Sequence, residues 1–229
     1  LKSENINNIS PVLAIETSAS VCGACVYYNN EKFYQSFIRY KNIHAEKLFE
    51  TIDIVLKSAG LSPEDIKVIA VSNGPGSFTG LRIGMSAAKG IAYGASIGLI
   101  PVPTFEAMAL EVTKFLPDKS VFAIANKVNI DEVYFAKFQI KSNNYIFVEN
   151  LKILNFEEFE SISKKVLTFG NAQRNSGNDY DFKTDIFAPE PRYIAEWAVI
   201  YGKENIITDI DYIEPNYLKN FTIKVTKND

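Results

Sequence analysis

The chain has 229 residues and a formal net charge of −3, with one histidine and two cysteines. That balance supplies no basic field for autonomous tight binding to nucleic acid, and 47% hydrophobic and 13% aromatic content argues against disorder. No apolar run reaches ~18 residues, so no membrane-crossing helix is expected. Residues 1–10 read as a polar lead-in without the features of a signal peptide, and a cytoplasmic location is the expectation.

Taken in order, 12–18 (VLAIETS), 21–28 (VCGACVYY) and 32–40 (KFYQSFIRY) read as strands, with Asn29-Asn30 tolerating the left-handed φ of a hairpin turn. In 44–60, Ala45, Leu48, Phe49, Ile52, Val55, Leu56 and Ala59 recur at helical spacing, and Gly60 stops the helix. Glu46 and Glu50 early and Lys57 late suit the helix dipole. Ile54 falls off the stripe and marks a second apolar patch, for a partner or a wider core contact. Ser62-Pro63-Glu64-Asp65 is a capped single turn. The strand VIAVS (68–72) then enters the loop Asn73-Gly74-Pro75-Gly76-Ser77-Phe78-Thr79, where Ser77 and Thr79 offer cap oxygens to a helix starting near Gly80. A strand at 97–102 and a helix at 105–116, capped by Thr104, follow.

Strands at 120–127, 132–140 and 145–154, a helix at 156–162, a strand at 165–170, a polar loop at 174–185 and a helix near 190–202 make up the rest. The second helix carries Ile194, Trp197, Ala198 and Tyr201 on one face. The order three strands, helix, strand, helix thus occurs twice, without sequence identity between the copies. The expected division is a first subdomain at 11–103, a second at 104–220 and a polar tail at 221–229.

The helix over 80–95 is nearly bare: Gly80, Gly84, Ala87, Ala88, Gly90, Ala92, Gly94 and Ala95 leave little side chain on it. Each interior glycine costs about 1 kcal/mol against alanine. Tight packing on the chain's own sheet and close approach of an outside helix are both consistent with such a stripe.

Chemistry is sparse. Cys22 and Cys25 form C-x-x-C, but on a strand residues three apart face opposite ways, and a redox pair or zinc site lacks its other parts. The glycine loop has no G-x-x-x-x-G-K-[ST], and G-x-G-x-x-G fails at Thr79. Glu16, between two strands, offers a carboxylate for a metal-bound water or merely a polar turn. His44 stands alone as a possible base and no G-x-S-x-G accompanies it. The run Glu157, Glu158 and Glu160 reads as a solvated helix face.

AIETSAS (14–20), NGPGSFTGLRIG (73–84) with Ala88-Lys89-Gly90, Glu132-Val133-Tyr134 and Glu214-Pro215-x-Tyr217-Leu218-Lys219-Asn220 occur in this order. Together, over about Val12 to Asn220, they resemble the TsaB family of tRNA threonylcarbamoyladenosine biosynthesis. The resemblance implies an α/β fold of the actin/hexokinase/Hsp70 (ribonuclease H-like) kind, with duplicated βββαβα subdomains and mixed five-stranded sheets. It implies a non-catalytic scaffold with no cofactor and no metal, which forms a heterodimer with its paralogue TsaD, joins the ATPase TsaE and serves a pathway fed by TsaC. Contact with tRNA is expected only through that complex, and a homodimer is possible when the chain is alone.

TsaD carries a His-x-x-x-His metal pair, whereas here His44 is followed four positions on by Leu48. The resemblance places the partner contact on the helices over 44–60 and 79–95. Leu48, Ile52, Val55, Gly80, Gly84, Ala87, Ala88 and Ala95 are then its apolar or small members, and Arg82 its polar one. One departure is the stretch Asn126–Asp131, where family members usually have Asp-Ala-Arg before Glu-Val-Tyr. A nucleotide-dependent phosphotransferase or ATPase using Glu16 and the glycine loop is the alternative reading, and a metallopeptidase a third.

Overall fold

Every residue of β1 (Val12–Glu16) is buried, as in a strand covered on both faces. It pairs antiparallel with β2 (Val21–Tyr27) and parallel with β4 (Val68–Ser72). With β3 (Phe33–Arg39) and β5 (Gly98–Val102) these make a mixed five-stranded sheet in the order β3-β2-β1-β4-β5. A computed structural model describes residues 9–39, 44–172 and 186–218, without the side chain of His44. Most of the lead-in, the loop expected at 174–185, Lys219, Asn220 and the 221–229 tail therefore lie outside the described residues.

α1 (His44–Ala59) and α2 (Phe78–Ala95) cover one face of this sheet, where Leu48, Ile52, Val55 and Leu56 pack with Met85, Ala88 and Ala92 on Leu13, Ile15 and Ile69. Each buried Leu, Ile, Val or Met side chain among these contributes about 1.5–3 kcal/mol. α3 (Thr104–Val112) and α5 (Pro191–Tyr201) cover the opposite face. α3 is buried on almost every side because it also packs on a second sheet, through Phe105, Met108, Ala109 and Val112.

That second sheet consists of β6 (Val121–Lys127), β7 (Glu132–Lys141), β8 (Asn144–Asn155) and β9 (Leu167–Phe169), in the order β8-β7-β6-β9, with α4 (Phe156–Ser163) on its far side. It has four strands among the described residues where five were expected. The chain leaves the sheet at Gly170, whose φ is +107 and whose N–H donates to Ile186 O, and α5 crosses back onto β1 and β2. Beyond α5, Ile207 pairs with Leu99 of β5, again in the first sheet.

Local differences have local causes. The β2–β3 turn needs no left-handed residue, since the Asn29 side chain accepts from the N–H groups of Glu31 and Lys32. The left-handed pair is Ser142-Asn143, between β7 and β8, with φ 54 and 61. Thr104 does not cap α3; its hydroxyl accepts from the Gly74 N–H at 3.1 Å. Cys22 and Cys25 are buried in separate cores on opposite faces of the first sheet, and burial pushes their thiols up to about 11 and about 12.

Candidate functional site

The loop between β4 and α2 is held by its own chain at nearly every step. Asn73 N–H donates to Val102 O at 2.8 Å, and Asn73 O accepts from Asn216 N–H at 2.8 Å. Gly74, at φ +107, bonds to Thr104 through both its N–H and its carbonyl. A β-carbon there would lie 2.7 Å from Asn216 O, so the 73–74 corner is glycine because the C-terminal segment crosses it. Pro75 is buried beside it. Ser77 is the N-cap of α2: its hydroxyl accepts from Gly80 N–H at 3.2 Å and its N–H donates to Ser18 O at 2.6 Å. Thr79 lies within the helix, exposed, rather than capping it.

The glycines that looked like a phosphate cradle are filled by protein. A β-carbon on Gly76 would collide with the Ser18 carbonyl, on Gly80 with the Thr17 carbonyl, and on Gly84 with the Thr17 hydroxyl. The β1–β2 turn thus occupies the space against the first turns of α2 that a nucleotide phosphate takes in a glycine cradle. The residues here do not fit such a group. Glu16 is not an exposed turn carboxylate either. It is fully buried, bonds to the N–H and hydroxyl of Ser18, and burial raises its pKa to about 7 against the partial opposition of those bonds. Among the described residues no group of three or more His, Cys, Asp or Glu side chains is placed to hold a metal ion.

In front of the loop lies a cleft of about 770 Å³ between the two sheets' ends, lined by Ser18, Ser20, Ser77, Phe78, Asn126 and Lys127 among others. The departure at 126–131 therefore reaches this cleft. Asn126 braces the far wall, accepting from Asn171 N–H at 2.9 Å, and Asn129 makes a turn by accepting from Asp131 and Glu132 N–H.

The expected partner residues are split by the structure. Leu48, 1% exposed, together with Ile52 and Val55, is committed to the core, and Gly80, Gly84, Ala87 and Ala88 are buried on the same side of α2. In the isolated chain they seat α1 and α2 on the first sheet. Phe49, expected on the buried stripe, is instead 61% exposed. The outer surface comprises Phe49 and Ile54 (45% exposed) on α1, and Thr79, Arg82, Ser86, Gly90 and Tyr93 (81% exposed) on α2. Ala95 is half-buried at the end of α2. A β-carbon on Gly90 or Gly94 would meet nothing within 4 Å. The bare helix therefore has both faces the sequence allowed: an inner one for packing and an outer one left open. The spacing 79, 82, 86, 90, 93 traces that outer face and was the available signal for Tyr93.

Sequence reasoning also missed the strap formed by residues 214–218. The Tyr217 ring packs against Phe78, tilted by 40° with centroids 4.8 Å apart, and its hydroxyl accepts from Arg82 Nε–H at 3.1 Å. Nothing in the composition of the tail signals that contact, which joins positions 135 residues apart.

A duplicated α/β molecule of the ribonuclease H-like, actin/hexokinase/Hsp70 kind, with its glycine cradle closed by its own chain, is the class these features define. A family model described as TsaD, tRNA N6-adenosine threonylcarbamoyltransferase, matches residues 40–144. The tRNA threonylcarbamoyladenosine biosynthesis protein TsaB of Haemophilus influenzae is 29% identical over 228 residues, covering 91% of this chain and 93% of that one. TsaB of Escherichia coli is 31% identical over 166 residues, covering 72% of this chain and 68% of that one. The chain belongs to the TsaB family. A solved structure of an uncharacterised protein with similarity to peptidase YeaZ, from Pseudomonas aeruginosa, shares the fold with a TM-score of 0.72 at 18% identity, covering 91% of this chain and 99% of that one. No helix among the described residues is long and apolar enough to cross a membrane.

Proposed function

We propose that this chain is a non-catalytic scaffold subunit of the tRNA threonylcarbamoyladenosine modification machinery, which pairs with a TsaD subunit and supports its threonylcarbamoyl transfer. The observation that carries the reading is the outer face of α1 and α2, where Phe49 and Ile54 on α1 and Tyr93 on α2 stand exposed, and Gly90 and Gly94 of α2 have open space over them. Large apolar side chains left exposed on one pair of helices favour a protein contact. Bare glycines let another helix approach closely. The second position of a His-x-x-x-His pair is Leu48, sealed in the core, which speaks against a transferase metal site on α1. The filled glycine cradle speaks against the ATPase or phosphotransferase reading in the same way.

TsaE joins the assembly in this reading, TsaC supplies the threonylcarbamoyl donor upstream, and tRNA meets the chain through the complex. The same helical face pairs with a second copy when TsaD is absent. The test is co-elution of the purified chain with TsaD, with its mass in solution measured alone and in the mixture. Failure to associate at micromolar concentrations counts against the scaffold. Saturable tight binding of ATP and magnesium by the isolated chain, seen by calorimetry, would revive the catalytic alternative.

A further inference from the structure

Arg82 is exposed on the first turns of α2, yet its guanidinium is fixed. The guanidinium carbon lies 4.2 Å from the centroid of the Phe78 ring, and Nε–H donates to the Tyr217 hydroxyl at 3.1 Å. Tyr217 is in turn held by its tilted ring contact with Phe78, by Asn216 N–H on Asn73 O, and by Leu218, which packs on the core beneath the second sheet. Among the described residues no carboxylate pairs with Arg82, whereas Arg192 pairs with Glu190 at 3.0 Å. A guanidinium offers its donors in a planar fork that matches a carboxylate at two points. Here the fork is engaged at two points, the Phe78 ring and the Tyr217 hydroxyl, before any partner arrives.

We infer that the Phe78–Arg82–Tyr217 stack is a preformed receptor for one carboxylate side chain of the protein subunit that covers the α1/α2 face. The 214–218 strap is then a third element of that interface, positioning Arg82 rather than merely closing the chain. This rests on the scaffold reading given above. The character of the surrounding surface decides between a protein carboxylate and an RNA phosphate. α1, whose Ala45 lines the same cleft as Phe78 and Ile83, carries Glu46, Glu50 and Asp53 against Lys47 and Lys57, α2 adds only Arg82 and Lys89, and the whole chain carries −3, so charges of both signs are scattered over the face. That mixed surface is no continuous basic track for a polyanionic backbone, whereas a single carboxylate within an apolar partner surface needs only the one fork. The exposed Phe49 and Tyr93 on the same two helices likewise suit a protein.

The experiment titrates the full chain and its Arg82→Gln, Arg82→Lys and Tyr217→Phe variants against TsaD at low and high salt, with thermal unfolding of each variant alone as the control for folding. Arg82→Gln is expected to weaken the complex by about tenfold and to flatten its salt dependence. Tyr217→Phe, which keeps the ring and loses the acceptor, should weaken it by a few-fold, and Arg82→Lys, which keeps the charge and loses the fork, should fall between. An Arg82→Gln affinity within about twofold of the parent, with the same salt response, overturns the inference and leaves the scaffold reading intact. Loss of tRNA retention by the assembled complex with unchanged subunit affinity makes the occupant a phosphate and also overturns it. If the unaltered chain forms no complex with TsaD, the scaffold reading falls and takes this inference with it.

Discussion

Gly84 and Thr17 touch so closely that no β-carbon fits on the glycine: one built there overlaps the Thr17 hydroxyl. The contact belongs to the inner face of α2. Gly84→Ala should therefore lower stability by roughly 1–3 kcal/mol through overpacking. Gly90, six residues further along the same helix, has open space in place of a side chain. Gly90→Ala should instead raise stability by up to about 1 kcal/mol by improving helix propensity. Chemical denaturation of the two variants checks both signs, and a neutral Gly84→Ala would mean that α2 is not seated as described.

Glu16 predicts a pH dependence. Burial raises its pKa in the folded chain to about 7, above the usual carboxylate value near 4.5. Between those values the folded state holds a proton that the unfolded state has released, so stability falls as pH rises through that window and levels off above about 7. Glu111 acts in the same sense, raised to about 8 chiefly by burial, with the Glu190 N–H bond opposing and the nearby Glu190 charge reinforcing the rise. Glu16→Gln should reduce the fall by roughly 3 kcal/mol at most. Unfolding free energies at several pH values between 5 and 8 test this, and an unchanged slope in the variant would exclude Glu16 as its source.

Tyr145 is a junction between layers. Its hydroxyl donates to Glu106 Oε2 at 2.7 Å and accepts from Trp197 Nε1–H at 2.9 Å, so β8, α3 and α5 meet on one oxygen. Tyr145→Phe strands the indole N–H and should cost about 1–3 kcal/mol. Trp197 is the sole tryptophan, so its fluorescence reports the change directly. An emission maximum and a melting temperature both equal to the parent's would contradict the junction.

The outer helical face makes a separate prediction. Phe49→Ser and Tyr93→Ser remove exposed rings, so stability should stay within about 0.5 kcal/mol of the parent. Association with TsaD should weaken by at least about 1 kcal/mol for whichever ring lies centrally in the contact. Paired measurements of melting and binding separate the effects. A binding constant untouched by both changes would move the interface elsewhere.

Much of this could be read from the chain before its fold was known. VIAVS matched β4 residue for residue, and the opposite-facing cysteines followed from spacing alone; of the two cap oxygens offered, Ser77 and Thr79, Ser77 is the one that caps α2, which starts at Phe78 rather than near Gly80. These are short-range properties: strand periodicity, cap chemistry and glycine conformation act within a few residues. The same periodicity misjudged Phe49, because an angle on a helix does not say how far the neighbouring element extends over it.

The sequence by itself determined most strands and helices of both sheets and the family motifs, since both reside in residue types and their local order. Tertiary structure alone decided which small residues of α2 serve the core and which stand open, that Thr17 and Ser18 fill the glycine cradle, and that Tyr217 locks Arg82. Those outcomes depend on which distant segment arrives at a given surface. A contact spanning 135 positions is fixed by the packing of whole layers, and no local pattern encodes it.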